Sequence, residues 1–409
     1  MESKRVPEVR FAGFRGEWEE NPIGDIVTEI IRPFKMSNND TYELVTVKRR
    51  NGGVVSRGLF KGSEVLVKTQ FLICEGDFLI SKRQIVHGAS ATVPKTLDGS
   101  IVSNEYLVLN GTDKLNIKFL SLISELPLMY NHYYLSSYGV DKEKLVFNVN
   151  DWKKRKVKIP SIQEQNQIVL FVHSLKEIIQ RSEQELDLLK QTKQGFLQKM
   201  FPKEGESVPE VRFPGFSGEW GLLTLGDITN KFEYGLNASA TNYDGKNRYI
   251  RITDIDDHSR NLINNNLTSP NTDLSLSQSY LLNQGDILIA RTGASVGKSY
   301  IYDSSDGIAY FAGFLIRMRL LNNYHPYFIF QNTLTEKYRT YINITSQRSG
   351  QPGVNAKEYA NFSLRIPILE EQTQIGNFFK KLDDTIALHQ KELDMLKETK
   401  KAFLQKMFV

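Results

Sequence analysis

The stretch Gly293-Ala-Ser-Val-Gly297-Lys298-Ser299 sets two glycines, a lysine and two hydroxyls in a row, the materials of a phosphate-binding loop. A nucleotide P-loop needs four residues between its glycines and leads from a strand into a helix whose N-terminus faces the phosphate. Here three residues separate the glycines, and the SYIYD that begins at Ser299 is strand-like. ATP hydrolysis is disfavoured, but the loop keeps another use. Its glycines allow close backbone approach to a phosphate, while Arg291, Thr292, Ser295 and Lys298 supply donors. A second donor-rich loop, SQRSGQPGVN (346–355), carries Gln347, Arg348 and Gln351. Arg and Gln have the forked ends that match guanine and adenine edges in a DNA major groove. Lys298 is expected to hold phosphate and Arg348 to read a base.

The first half of the chain offers Lys48, Arg49, Arg50 and Arg57, then Lys82, Arg83, Gln84 and His87. The run Lys153-Lys154-Arg155-Lys156 is dense enough for contact with a nucleic-acid backbone. Catalytic resources are poor by comparison. The six histidines (87, 132, 173, 258, 325, 389) show no metal-ligand spacing, and the single Cys74 adjoins an apolar run. Acid-x-Lys triplets at Asp151–Lys153 and Asp244–Lys246 imitate a nuclease pattern, yet at 24% charged residues such triplets arise by chance. No dinucleotide fingerprint is present, and neither cofactor nor metal is expected.

The elements that must position these loops are written twice. VPEVRFAGFRGEW (6–18) returns as VPEVRFPGFSGEW (208–220), KIPSIQEQNQI (158–168) as RIPILEEQTQI (365–375), and LDLLKQTKQGFLQKMF (186–201) as LDMLKETKKAFLQKMF (393–408). Between these blocks the halves share little beyond Gly24-Asp25-Ile26/Gly226-Asp227-Ile228 and Gly76-Asp77/Gly285-Asp286. After Pro160, residues Ile168, Val172, Leu175, Ile179, Ser182, Leu186, Leu189, Lys193, Phe196 and Met200 form a seam of period 3.5, repeated from Ile375 to Met407. Such a helix is roughly 60 Å long, far beyond a globular average, and favours a coiled coil between the two copies. An antiparallel pair suits two equivalent units about a two-fold axis and brings Ser182 near His389, a register device.

The inserts read as mixed α/β. Strand-like runs are Tyr42–Val47, Phe78–Ser81, Glu105–Leu109, Tyr249–Ile252, Asp286–Arg291 and Ser299–Tyr302, and helical stretches are Lys118–Tyr130 and His325–Arg339. The expected fold class is α/β (mixed α+β), internally duplicated, with two globular domains joined by two long helices in an antiparallel coiled coil. The expected boundaries are a first head at 1–155 opening on the repeated segment within 1–20, a first spacer helix at 156–203, a second head at 204–362 containing the repeat at 208–220, and a second spacer helix at 363–409.

At 409 residues, 40% apolar and 11% aromatic, the chain is a multidomain globular protein. No apolar run is long enough to span a membrane, and MESKRVPEVR has no apolar stretch of a secretory signal behind it. With a single cysteine, this predicts a cytoplasmic chain without intrachain disulfides. The net charge of +5 permits a polyanion partner where basic residues cluster, without requiring one.

Two divergent inserts, each followed by a near-identical helix bearing IPxxxEQxxI and ending LLKxxKxxFLQKMF, resemble the specificity subunit of type I restriction–modification enzymes. The resemblance covers essentially the whole chain. It implies that each insert is a target recognition domain reading one half of a bipartite site in double-stranded DNA, and that the helices set the gap. It also implies that two methyltransferase subunits, with restriction subunits in the larger complex, carry out adenine methylation and cleavage. By the same resemblance 285–298 and 349–355 look like DNA-facing loops, whereas SKRQIVHGASATVP (81–94) lacks the Arg-Thr-Gly signature. Two alternatives stand beside this reading: a coiled-coil adaptor with two protein-binding heads, and a P-loop ATPase or nuclease.

Overall fold

A computed structural model describes residues 6–408, so Met1–Arg5 of the expected first head and Val409 of the expected second spacer helix lie outside the described residues. Two 38-residue helices, Ile162–Lys199 and Leu369–Lys406, carry the apolar seams. Ile168, Val172, Leu186, Met200, Ile375, Phe379, Leu393 and Met407 are buried, as the 3.5 period predicts. The first helix opens at Ile162, not at 156, because Lys156–Ile159 is a strand. Among the described residues no helix is long and apolar enough to cross a membrane.

By its internal contacts the chain divides into two units, residues up to Gln180 with Met395 onward, and Arg181–Asp394. In the first unit the start of the first helix meets the end of the second, with the Phe171 and Phe403 rings edge to face at 5.0 Å. In the second unit the end of the first helix meets the start of the second through the repeat-equivalent pair, Phe196 and Phe378, also at 5.0 Å. The helices therefore run antiparallel. Lys193 at the seam is neutralised by Asp383 at 2.6 Å. Carried along the helices, the register of the two ring pairs sets His389 level with Leu186 and Ser182 level with Leu393, so the expected Ser182–His389 pairing is offset by about one turn.

Each head core needs both helices. In the first unit Trp18, Ile23, Phe119 and Trp152 pack with Ile168, Val172 and, from the second helix, Met407. In the second, Trp220, Leu225, Phe328 and Tyr359 pack with Ile375, Phe379 and, from the first helix, Met200 and Phe201. The repeated segment locks on in the same way both times. Arg10 grips the buried Glu164 with two bonds of 2.7 Å, and Arg212 grips the buried Glu371 at 2.6 and 2.7 Å. These are the glutamates of IPxxxEQxxI, and the bidentate contact raises the pKa of both guanidinium groups.

Each insert enters and leaves through one strand pair. Glu19–Pro22 lies antiparallel to Lys156–Ile159, and Gly221–Thr224 to Ser363–Ile366. Inside the first insert a four-stranded sheet runs in the order Val27–Glu29, Tyr106–Gly111, Phe78–Ser81, Ser90–Thr92. Beside it a five-stranded sheet contains Thr41–Val47, paired parallel to Ile101–Ser103. The second insert repeats the first plan as Thr229–Tyr234, Leu315–Leu320, Ile287–Ala290, Ser299–Ile301, and pairs Arg248–Ile250 parallel to Ala309–Phe311. The two expected helices are each broken in two, at Pro127 in the first head and at Thr333–Thr335 in the second. Proline lacks the donor that would continue the first, and Thr335 caps the next helix of the second.

The dipeptides shared by the inserts prove structural. A Cβ on Gly24 would sit 3.2 Å from Lys153, and one on Gly226 would sit 3.3 Å from Ala360, so both glycines permit two short helices to touch. Gly76 and Gly285 have φ of +85° and +84°, and the following aspartates accept the backbone N–H of Cys74 at 2.8 Å and of Asn283 at 2.9 Å. Arg32 and Arg319 neutralise these aspartates.

His325 caps the helix Pro326–Asn332 by accepting the Phe328 N–H, and burial holds its pKa below the ordinary value. The neutral ring is the form that accepts, so folding favours loss of its proton. Stability from this site is present above the unfolded-state pKa of about 6.5 and is lost as pH falls below it. In the first head Asn116 makes the corresponding cap, accepting from Lys118. His325→Asn is expected to remove this part of the acid sensitivity. Melting curves between pH 8 and 5.5 that stay parallel for wild type and variant would refute the assignment.

Candidate nucleic-acid interface

In the second head the two donor-rich loops meet. Thr292 bridges to Gly353, Gly293 N–H donates to the Pro352 carbonyl at 2.9 Å, and Val354 N–H donates to the Arg291 carbonyl at 2.9 Å. The Arg291 guanidinium lies over the Tyr234 ring, 4.9 Å from its centroid. Gln347, Arg348 and Gln351 are exposed, and Thr292 and Ser295 are half-buried. Arg348 donates to the Thr345 carbonyl at 2.7 Å and pairs with Glu358, which holds its guanidinium at the surface. The result is one surface that presents two guanidinium groups and two carboxamides.

Lys298 does not belong to that surface. It is 6% exposed, and its ammonium donates to the Ile255 carbonyl and to Asp257, both at 2.8 Å. The cause is Gly297, whose left-handed φ of +82° turns the chain inward. A Cβ on Gly297 would come within 2.7 Å of Ile342, and the Tyr338 and Tyr359 hydroxyls bond its carbonyl and N–H. This glycine serves packing, not approach to a phosphate. Lys298 in turn holds the Asp257 carboxyl below its ordinary pKa. Lys298→Ala is therefore expected to destabilise the head by about 1–3 kcal/mol, through loss of bonds to a charged donor. A variant with unchanged melting temperature and weakened DNA binding would restore Lys298 to the surface.

In the first head the turn after Val47 docks on the loop after Ser81. Arg50 N–H donates to the His87 carbonyl at 2.7 Å, and Asn51 N–H to the Gly88 carbonyl at 2.9 Å. Arg49 bonds the Gln84 carboxamide at 2.7 Å and pairs with Glu143 at 3.0 Å, and His87 lies 3.5 Å from the same carboxylate. Arg49, Arg50, Gln84 and His87 are thus gathered, with exposed Lys48 beside them in the turn and Arg57 on the adjoining strand. Lys82 and Arg83 are drawn to a neighbouring turn, where Lys82 bonds the Asn104 carbonyl at 2.8 Å and Arg83 pairs with Glu105 at 2.7 Å.

A third segment of this site has no counterpart in the expectations. Phe147 N–H donates to the Lys82 carbonyl at 3.0 Å, as Val354 does to Arg291. Asn148 then caps a helix by accepting from Asp151, as Asn355 accepts from Glu358. Residues 139–147, with Glu143, are therefore the counterpart of 346–354. The available signal was the Asn-x-x-acid pattern, 207 positions apart in the two halves.

The basic run at 153–156 is not a free patch. Lys153 pairs with Glu29 and Lys156 with Glu20, acids from elsewhere in the fold, and Arg155 pairs with Asp151 one turn before it, so three of its four charges are matched. Asp244, the acid of the second Acid-x-Lys triplet, accepts the Lys246 and Asn247 N–H groups of its own turn.

A family model described as the type I restriction modification DNA specificity domain matches residues 15–191 and again 217–398. Among curated proteins the chain is 22% identical over 280 residues to the putative type I restriction enzyme MjaX specificity subunit of Methanocaldococcus jannaschii, covering 66% of this chain and 62% of that one. It is 25% identical over 130 residues to the MjaVIII specificity subunit of the same organism, covering 31% and 29%. The chain thus spans less than two thirds of either relative. A crystal structure of the type I restriction–modification S subunit from M. genitalium shares the fold with a TM-score of 0.64 at 16% identity, covering 99% of both chains.

Proposed function

The chain belongs to the type I restriction modification DNA specificity family, and from that premise we propose that it is the non-catalytic DNA-reading subunit of such a complex. Each head reads one half of an asymmetric bipartite site in duplex DNA, and the antiparallel helices set the gap. Two methyltransferase subunits supply adenine methylation, and restriction subunits join for cleavage. The observation that carries the reading is the meeting, in each head, of loops distant in sequence into one donor-rich surface on a duplicated frame. Arg348 and Gln351 match base edges, and Arg291, stiffened by Tyr234, contacts either base or phosphate. The modest net charge of +5 fits a subunit whose partners neutralise most of the phosphates.

The test is to assemble the chain with its methyltransferase partners and map methylated adenines across a genome. A single two-part motif with a fixed gap is expected. Arg348→Ala is expected to relax choice at one position of one half, a loss of about 1–3 kcal/mol in discrimination. Methylation without sequence preference, or a motif unaltered by all of Arg291→Ala, Arg348→Ala and Gln351→Ala, would overturn the assignment of this surface.

A further inference from the structure

Four described residues other than glycine have a left-handed backbone: Arg50 (φ 58°), Asn51 (56°), Arg260 (61°) and Asn266 (59°). Asparagine tolerates that region, but arginine gains nothing from it locally. Strain of this kind persists where the surrounding structure fixes it, and it gathers at functional sites.

The two arginines lie on connections that leave corresponding strands, although the inserts share little sequence. Thr41–Val47 and Arg248–Ile250 each pair parallel with the strand that precedes the central strand of the four-stranded sheet. Arg50 lies three residues past the first, in the turn that follows it, and Arg260 lies ten residues past the second, in the turn beyond the 3-10 turn Ile252–Asp254. Each turn is fastened to a loop of the candidate interface or to its end. The first is held by the Arg50 and Asn51 N–H bonds to His87 and Gly88. The second is closed by Asp256, which accepts the Ser259 N–H at 2.7 Å, and is latched by Lys298 through Ile255 and Asp257.

Among the described residues neither guanidinium has a hydrogen bond or ion pair within the chain. Arg260 is half-buried nonetheless, and the two acids that attract it are engaged elsewhere, Asp257 by Lys298 and Asp256 by the N–H groups of its own turn. Each is an unpaired guanidinium on a fixed backbone, exposed at Arg50 and half-buried at Arg260, and so is available to an anion.

We propose that Arg50 and Arg260 are equivalent phosphate contacts, one in each head, each aimed at the DNA backbone by a left-handed turn. The inference rests on the DNA-reading function proposed above. Phosphate is favoured over a base because the heads differ in their reading residues, and the backbone is the one partner that two different half-sites have in common. Lys298 is then a positioning residue that holds the turn bearing Arg260.

The test uses the full chain assembled with methyltransferase subunits and a duplex bearing the mapped site, with a scrambled duplex beside it. Arg50→Gly and Arg260→Gly should each weaken binding to both duplexes by a similar factor, on the order of tenfold at low salt. Each should make the slope of log affinity against log salt shallower by about 0.9, and the double variant by about 1.8. Arg260→Met, which keeps the apolar stem, should do the same, while Arg50→Lys and Arg260→Lys should keep the slope. The melting temperature of the free chain should hold or rise in the glycine variants, since glycine relieves the backbone strain. Unchanged slopes with normal wild-type binding would overturn this inference alone, as would altered preference at a single base. No binding by the wild-type complex would overturn the DNA-reading function and this inference with it.

Discussion

Exchange of residues 222–362 for the corresponding insert of another family member is expected to rewrite one half of the methylated sequence and leave the other half untouched. The physical ground is the strand pair at the neck of each insert. Gly221 lies opposite Ile366 and Thr224 opposite Ser363, so the chain enters and leaves the head at one point. A new insert can follow any path between those ends without pulling on the frame. The frame holds the insert partly through backbone, as where the Gln372 carboxamide accepts the His325 N–H, and partly through side chains that an incoming insert must also supply, such as Phe328 packed with Phe201 and Phe379 and Tyr327 bonded to Asp383. The backbone partners do not depend on the insert's side chains. Sequencing of methylated adenines after expression with the methyltransferase partners gives the answer. Simultaneous change of both half-sites would mean that the two inserts form one reading surface.

The frame was readable in the sequence because it is a periodic object written twice. A seam of period 3.5 with coincident polar breaks has one economical solution, and Phe196 and Phe403 occupy it as expected, each packed on a ring just beside the partner seam, Phe378 and Phe171. The loops 291–298 and 346–355 were readable because glycines and forked donors mark them by composition alone. Which way a side chain points was not readable. Lys298 turns inward because Gly297 packs against Ile342, a contact between residues more than forty positions apart. The run at 153–156 looked like a free basic patch because Glu20 and Glu29, which neutralise part of it, lie far away in sequence. Arg260 carried no signal, since a left-handed φ at an arginine is imposed by tertiary structure and leaves no trace in composition. The Gly-Asp dipeptides illustrate the converse. They stood out as similarities, and only the contacts at Lys153 and Ala360 and the turns at Cys74 and Asn283 give the reason.

A fragment ending near Glu204 is expected to form an antiparallel homodimer, because its head is incomplete without the end of a second helix. In the whole chain that end comes from residues 395–408. Phe403 stacks edge to face on Phe171, Phe408 does the same on Trp18 at 6.1 Å, Met407 lies in the core, and Val9 N–H donates to the Lys406 carbonyl. Removing three large apolar side chains from a core costs roughly 5–9 kcal/mol, comparable to the whole stability of a domain. The fragment nevertheless carries the missing sequence, because FLQKMF at 196–201 is identical to FLQKMF at 403–408. Those residues already make the equivalent contacts in the second unit, where Phe201 packs on Trp220, Phe196 on Phe378, and Val211 N–H donates to the Lys199 carbonyl. A second copy can therefore complete the first head with chemically identical groups, and the exchange is mutual, which closes the dimer about a two-fold axis. Light scattering should give twice the fragment mass, and the melting temperature should rise with concentration. Phe201→Asp should abolish both, because in the dimer this ring is buried against the partner's Trp18. With methyltransferase subunits the dimer should methylate an inverted repeat of the first half-site. A folded monomer that is indifferent to Phe201→Asp would show that the head closes on its own helix, and the shared-helix frame would fall with it.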